Sequence, residues 1–349
     1  MRARWPARPR AGVSYGAGRI RPAQGSDGSA APPFSKPLSK GANVSDKKFT
    51  GVIPPVVVPL TADRQLDVAS LERSVNRMID AGVDGLFILG SSSEVVFSTD
   101  ARRDEIIENT VRIVDGRVPV LAGIIDTETE RMIEHGKRAQ QMGVDALVAT
   151  CPFYALQGMA EIEESFRCLH DALELPIFAY DIPVCVHNKL NTDMLVRLGS
   201  DGVLAGVKDS SGDDISFRYL VLKNEDAGHP MSILTGHEVV VDGAYLSGAD
   251  GSVPGLANVE PEGYVRQWKA AQAGDWAAVK AEQDRLARIM EITSVTTGVQ
   301  GFGAGVGAFK TALQLLGVFE TNQMPRPVRA LEGENVEAIR RVLVDCGLL

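Results

Sequence analysis

From residue 51 onward the chain alternates between short, almost wholly apolar runs and longer stretches with apolar residues at helical spacing. The apolar runs are 52–58 (VIPPVVV), 84–89 (DGLFIL), 118–122 (VPVLA), 145–149 (DALVA), 176–180 (PIFAY), 203–207 (VLAGV), 231–235 (MSILT) and 250–253 (DGSV). Runs this continuous suit strands buried on both faces, the habit of parallel sheets covered by helices. Between them the periodicity predicts helices over 67–81, 99–115, 127–142, 160–173, 191–198, 213–223 and 238–247. Thr99, Thr127 and Thr192 stand where N-caps are expected. About eight strand–helix repeats over roughly 200 residues predict an α/β fold of the closed (β/α)8, or TIM, barrel kind. A doubly wound open sheet is the rival. Its nucleotide-binding form carries G-x-G-x-x-G after the first strand, whereas here that run is followed by PLTADRQLD, without glycine.

Residues 275–292, 298–317 and 334–346 read as further helices with no strand signal. The expected organisation is a tail at 1–46, a barrel at 47–273 and a C-terminal helical bundle at 274–349 packed on the barrel. GVQGFGAGVGAF (298–309) follows no strand, so it reads as the start of a helix and not as a phosphate loop. The tail differs in kind from the rest. Arg2, Arg4, Arg8, Arg10, Arg19 and Arg21 precede the first acid, Asp27, with Gly, Pro, Ser and Ala between. Such a segment buries too little apolar surface to order itself. An Arg-rich, acid-poor leader suits a transit peptide. However, Pro6, Pro9 and Pro22 interrupt any helix, and a secretory signal's apolar stretch is missing. A disordered tail or a misassigned start is expected, with the folded protein beginning near Val44.

Composition narrows the partners. A net charge of −9 gives no reason to expect nucleic acid. No apolar run approaches the ~18 residues of a membrane helix. Cys151, Cys168, Cys185 and Cys346 form neither a C-x-x-C pair nor a zinc pattern with histidine. Four free thiols in a reducing, cytoplasmic setting are the expectation.

A barrel of this kind carries its chemistry where the strands end. Those positions hold Gly90-Ser91-Ser92-Ser93-Glu94, Cys151-Pro152-Phe153-Tyr154, Tyr180-Asp181-Ile182-Pro183, Lys208-Asp209-Ser210-Ser211-Gly212, Thr235-Gly236-His237-Glu238 and Val253-Pro254-Gly255. Lys208 closes the apolar run VLAGV, which should place its amine in the barrel mouth with little water around it. Loss of water disfavours an ammonium ion and leaves an amine able to attack carbonyls. The alternative is a lysine paired with Asp209 or Asp213. Tyr180 ends the preceding strand, where its phenol can shuttle the proton that carbinolamine formation requires; otherwise it caps a strand. Ser91 and Ser92 offer hydroxyls and backbone N–H groups to a carboxylate, or merely make a turn.

The segments GSSSE (90–94), CPFYALQG (151–158), YDIP (180–183), GVKDSSGD (206–213) and GADGSVPGLAN (248–258) resemble, in order and spacing, the dihydrodipicolinate synthase / N-acetylneuraminate lyase superfamily. The likeness runs from about Phe49 to the C-terminus, where FKTALQLLG (309–317) and RPVRAL (326–331) look like the family's closing helices. It implies a barrel with a C-terminal helical bundle, assembled as a homotetramer, a dimer of dimers. It further implies that Lys208 is the Schiff-base lysine and Tyr180 the proton relay. Ser92 would link Tyr180 to Tyr154, which reaches in from a neighbouring subunit. Ser91 and Ser92 would bind a 2-oxo acid carboxylate, helped by backbone near Val253.

Two departures bear on substrate. Ser93 stands where the family commonly has glycine, and is expected to narrow or polarise the pocket. Cys185 stands where true synthases commonly carry an arginine that gathers the aldehyde's carboxylate; a thiol makes no bidentate ion pair. His187, Asn188, Lys189 and His237 are candidate contacts for sugar-acid hydroxyls instead. The expected function is reversible cleavage of a 2-keto-3-deoxy sugar acid, or a similar 4-hydroxy-2-oxo acid, to pyruvate and an aldehyde. The alternatives are 4-hydroxy-tetrahydrodipicolinate synthase, condensing pyruvate with aspartate semialdehyde, a keto-deoxy-acid dehydratase, and a non-catalytic sugar-acid sensor. No metal or cofactor is called for, because the lysine itself supplies the electron sink.

Overall fold

The computed structural model describes residues 49–349, so the expectations placed on the 1–46 tail lie outside the described residues. Eight parallel strands follow one another: β1 (Gly51–Val52), β2 (Leu86–Ile88), β3 (Val120–Gly123), β4 (Ala146–Ala149), β5 (Ile177–Asp181), β6 (Gly206–Asp209), β7 (Ser232–Thr235) and β8 (Gly251–Ser252). From β2 onward each pairs with the next, and β8 pairs with β1. The ring closes between β1 and β2 through a bridge at Pro55 and Phe87. Every strand residue is buried, as a sheet filled inside and covered outside requires. The expected (β/α)8 barrel is therefore observed, with helices at its C-terminal end.

The first strand is much shorter than the run 52–58. Pro54 and Pro55 have no N–H to give a ladder. The chain there holds on by Val56 N donating to the Phe87 carbonyl (2.8 Å) and Phe87 N to that of Pro54 (2.9 Å). Asn258, buried after β8, completes the seam. Its Oδ1 accepts from Val57 N (2.9 Å) and its Nδ2 donates to the Pro55 carbonyl (2.9 Å).

The covering helices are α1 (Val68–Ala81), α2 (Asp100–Val114), α3 (Thr129–Gln141), α4 (Met159–Ala172), α5 (Pro183–Val186), α6 (Thr192–Ser200), α7 (Asp214–Asp226), α8 (Val241–Ser247) and α9 (Pro261–Gln272). Thr99 caps α2 as expected. Two other caps fall elsewhere. The Thr127 hydroxyl turns to Asp126, and the extended Glu128 caps α3. Thr192 is already inside α6, whose cap is Asn191. The predicted helix at 238–247 splits into a 3-10 turn, Glu238–Val240, and α8, and α5 was not foreseen.

Helices α10 (Trp276–Met290), α11 (Gly305–Leu315) and α12 (Glu334–Asp345) follow. α11 begins later than position 298 because Gly298 and Gly301 adopt left-handed φ of 72° and 58°, which interrupts a helix. Among the described residues no helix is long and apolar enough to cross a membrane. α11 reaches the barrel through Lys310, which is fully buried and bonds Glu94 Oε2 at 2.6 Å and the Gln323 carbonyl at 3.0 Å. Burial raises the Glu94 pKa and lowers that of Lys310, and the pairing resists both shifts. Removing one partner strands the other charge without water. Lys310→Met should therefore cost about 3–5 kcal/mol in denaturant unfolding. The paired change Lys310→Met with Glu94→Gln should cost clearly less, since neither charge is then left alone.

Candidate active site

Lys208 and Tyr180 are brought together by strand register. β5 and β6 pair Tyr180 with Lys208 and Asp181 with Asp209. Successive side chains leave a strand on opposite faces, so tyrosine and lysine share one face and the two aspartates the other. The Lys208 amine lies 4.1 Å from the centroid of the Tyr180 ring and 4.9 Å from that of Phe87. These two rings meet edge to face at 6.1 Å. Lys208 is only 6% exposed. Gly236, at the end of β7, makes room for it: a Cβ there would stand 3.2 Å from Lys208 Cε and 2.0 Å from Ser210 Oγ. Pairing with a neighbouring aspartate is not what the fold provides. Asp209 is engaged by Lys189, and Asp213 caps α7 by accepting from Ser216 N. No ion pair among the described residues includes Lys208.

The serine turn is aimed by backbone geometry at the end of β2. Leu89 adopts a left-handed φ of 55°, and its carbonyl presses on Gly123, where a Cβ would come within 2.0 Å. The chain then swings over the barrel mouth. Ser91 Oγ comes within 3.4 Å of Tyr180 Oη. The expectation had Ser92 in that position; the turn, closed by Glu94 N on the Ser91 carbonyl (2.9 Å), presents the earlier serine instead. Ser92 is half-buried in the same turn. Ser93 donates to the Val56 carbonyl at 2.5 Å, so its hydroxyl is committed to the barrel seam and does not add a free polar group beside the amine.

The other candidates divide. Cys185 is exposed as a residue. Its thiol nonetheless has its pKa raised, chiefly by local loss of water, against a hydrogen bond from Ser91 and the charge of Lys208. The position where an arginine was not found thus borders the mouth. Tyr154 is 94% exposed and holds a left-handed φ of 75°, so in one chain its ring projects outward. His187 ends α5 with a left-handed φ of 59° and is exposed. His237 Nδ1 contacts Asp214 Oδ1 at 3.2 Å. It lines a cavity of about 320 Å³ between α7 and α8, with Asp209 and Asp213 and without Lys208. Val253 is buried, with its N–H given to the Thr235 carbonyl at 2.7 Å. That leaves its N–H unavailable to a carboxylate. Lys189 does not offer its amine to a ligand either: it is bonded to Asp181 and lies 3.4 Å from Asp209.

Several residues escaped the sequence reading. Phe87, the second ring against Lys208, looked like any strand residue. Glu238 has a buried carboxylate that accepts from Leu256 N at 2.7 Å, holding the turn after β8. Burial raises its pKa, opposed by backbone bonds from Leu256 and Gly255 and by the charge of Lys208. Lys310 was visible as the one charge in GVGAFKTALQL, a usable signal that a buried partner exists. Among the described residues no cluster of His, Cys, Asp and Glu is arranged to hold a metal.

Comparison with known proteins identifies the family. Residues 48–345 match the model of the dihydrodipicolinate synthetase family. A DapA-like lyase of unassigned substrate from Halobacterium salinarum is 33% identical over 300 residues, covering 86% of this chain and 94% of its own. A 4-hydroxy-tetrahydrodipicolinate synthase from Phenylobacterium zucineum is 32% identical, over 70% of this chain and 82% of its own. YagE of Escherichia coli K12 is provisionally named a 2-dehydro-3-deoxy-D-gluconate aldolase and is 32% identical, over 71% of this chain and 83% of its own. The crystal structure of YagE with pyruvate superposes with a TM-score of 0.81 at 29% identity, covering 86% of this chain and 99% of that one. The family match, the shared fold and the relatives show that this chain is an enzyme of the dihydrodipicolinate synthetase family, whose members are named as lyases, aldolases and synthases.

Proposed function

We propose that the enzyme cleaves a 2-keto-3-deoxy sugar acid, or a similar 4-hydroxy-2-oxo acid, reversibly to pyruvate and an aldehyde through a Schiff base on Lys208. One observation carries this: the Lys208 amine lies against the Tyr180 ring, with Ser91 beside the phenol and a thiol, not a guanidinium, at position 185. Lys208 Nζ adds to the C2 carbonyl of the substrate, and Tyr180, held by Ser91, passes a proton to the oxygen that leaves as water. The resulting iminium draws electrons from the C3–C4 bond as the C4 hydroxyl passes its proton to the Tyr180 phenolate, which then holds the proton that the enamine will take. The aldehyde departs, the enamine takes a proton at C3, and hydrolysis returns pyruvate and the free amine. Ser91 and Ser92 hold the carboxylate.

Cys185 turns the reading from synthase to lyase. Gathering a carboxylated aldehyde needs a fixed cation, and the mouth has none at that place. YagE, structurally similar and solved with pyruvate, supports the keto-acid half. The Phenylobacterium zucineum relative keeps the synthase as a second reading. The homotetramer belongs to the same proposal. Tyr154, Leu156 and Val184 are 94%, 60% and 79% exposed beside the mouth, and a neighbouring chain would cover them and bring in its own tyrosine.

Borohydride reduction with pyruvate should add the mass of a reduced pyruvyl group to a Lys208 peptide, and Lys208→Ala should abolish it. An unlabelled Lys208 ends the proposal. In the same preparation, a panel of keto-deoxy acids should show turnover above that of pyruvate with aspartate semialdehyde; the reverse order selects the synthase. Tyr180→Phe should lower kcat by about 10²–10⁴-fold while leaving slow trapping of pyruvate, as expected for lost proton transfer. Light scattering should give the mass of a tetramer. A monomer of full activity would remove Tyr154 from the site.

A further inference from the structure

Asp181 and Asp209 are register partners at the ends of β5 and β6, one residue beyond Tyr180 and Lys208. Both are buried. Like charges set directly opposite on adjacent strands repel. Burial and the charge of Asp209 together push the Asp181 carboxyl up to about 6, against the Lys189 ammonium and the Leu190 N–H. What answers them is Lys189, whose amine bonds Asp181 Oδ2 and lies 3.4 Å from Asp209 Oδ2. Burial works against the Lys189 ammonium, and the two carboxylates outweigh it and raise its pKa. Asp181 grips the same stretch a second time, Oδ1 accepting from Leu190 N at 3.1 Å.

Lys189 does not belong to either strand. It ends the loop that leaves β5, and between the strand and the lysine lie Cys185, His187 and Asn188. The first borders Ser91 and Lys208. The last keeps a buried amide nitrogen, Asn188 Nδ2, with no partner among the described residues, and a buried donor left unmade is where a ligand oxygen gains most. The chain between β5 and Lys189 otherwise bonds mainly to itself, through Cys185 N and Val186 N on the Ile182 carbonyl and His187 N on that of Pro183.

We infer that Lys189 is a positioning residue for the aldehyde half of the substrate: by clasping Asp181 and Asp209 it fixes the 182–189 loop, and with it Cys185 and Asn188, to the two strand ends that carry Tyr180 and Lys208. The inference rests on the functional reading above. It separates two halves of the site. The keto-acid half, made by Lys208, Tyr180 and the serine turn, does not depend on the clasp. The half that meets the rest of the substrate does.

The experiment compares wild type, Lys189→Met and the charge-balanced pair Lys189→Met with Asp181→Asn. Three quantities are read: borohydride trapping of pyruvate, the KM and kcat for the keto-deoxy acid that wild type turns over best, and the thermal midpoint. Both variants should trap pyruvate like wild type, while kcat/KM for cleavage falls at least about tenfold, mainly through KM. The balanced pair should regain the wild-type midpoint and keep the raised KM. Should Lys189→Met not fold, the balanced pair alone decides: wild-type KM at wild-type midpoint overturns the inference, because the lysine would then serve only charge balance. Pyruvate trapping lost in step with cleavage also overturns it. Wild type that never traps pyruvate brings down the functional reading and this inference with it, whereas trapping wild type with unaltered variants brings down this one alone.

Discussion

The register between β5 and β6 is the constraint on which the mouth of this barrel depends. A parallel ladder allows no half steps, and a one-residue slip would exchange the two faces of a strand. In the register present, Tyr180 stands beside Lys208, and Asp181 beside Asp209. The inner pair gives an amine against an aromatic ring, shielded from water. The outer pair gives two carboxylates that need a cation, and so draws in Lys189 and its loop. Chemistry inside and loop placement outside are two consequences of one set of hydrogen bonds.

Closure of the ring makes that register rigid. A sheet without edges cannot shear one strand against its neighbour without disturbing all the others. The weak place is the stretch just after β1, where Pro54 and Pro55 offer no N–H, and Asn258 and the Ser93 hydroxyl supply side-chain bonds to residues 55–57. Ser93 thereby belongs to the seam as much as to the mouth. Its neighbour Glu94 is pinned by Lys310 from α11, which ties the C-terminal helices to the turn that carries Ser91 and Ser92. Those helices thus support the serine turn through a buried ion pair.

Much of this was legible in the chain. Near-continuous apolar runs separated by helical periods identified a parallel barrel, because a strand buried on both faces has nowhere to place a polar residue. The rule that chemistry gathers where strands end picked Lys208, Tyr180 and the serine turn. Errors clustered where backbone detail decides. The run 52–58 read as one strand, since hydrophobicity does not register missing N–H groups. Thr127 and Thr192 read as caps, whereas the neighbouring side chains of Glu128 and Asn191 accept the end N–H groups. Ser92 and Ser91 were distinguishable only once Leu89 was seen in a left-handed conformation.

The sequence by itself determined the fold class, the strand-end positions open to chemistry and the absence of an arginine at position 185, because these follow from residue type and spacing. The tertiary structure decided which of those residues meet. It turned His237 toward Asp214 and Lys189 toward two aspartates, and left Lys208 with rings for neighbours. Strand register and the burial of charges are properties of pairs distant in the chain, and no single segment carries them.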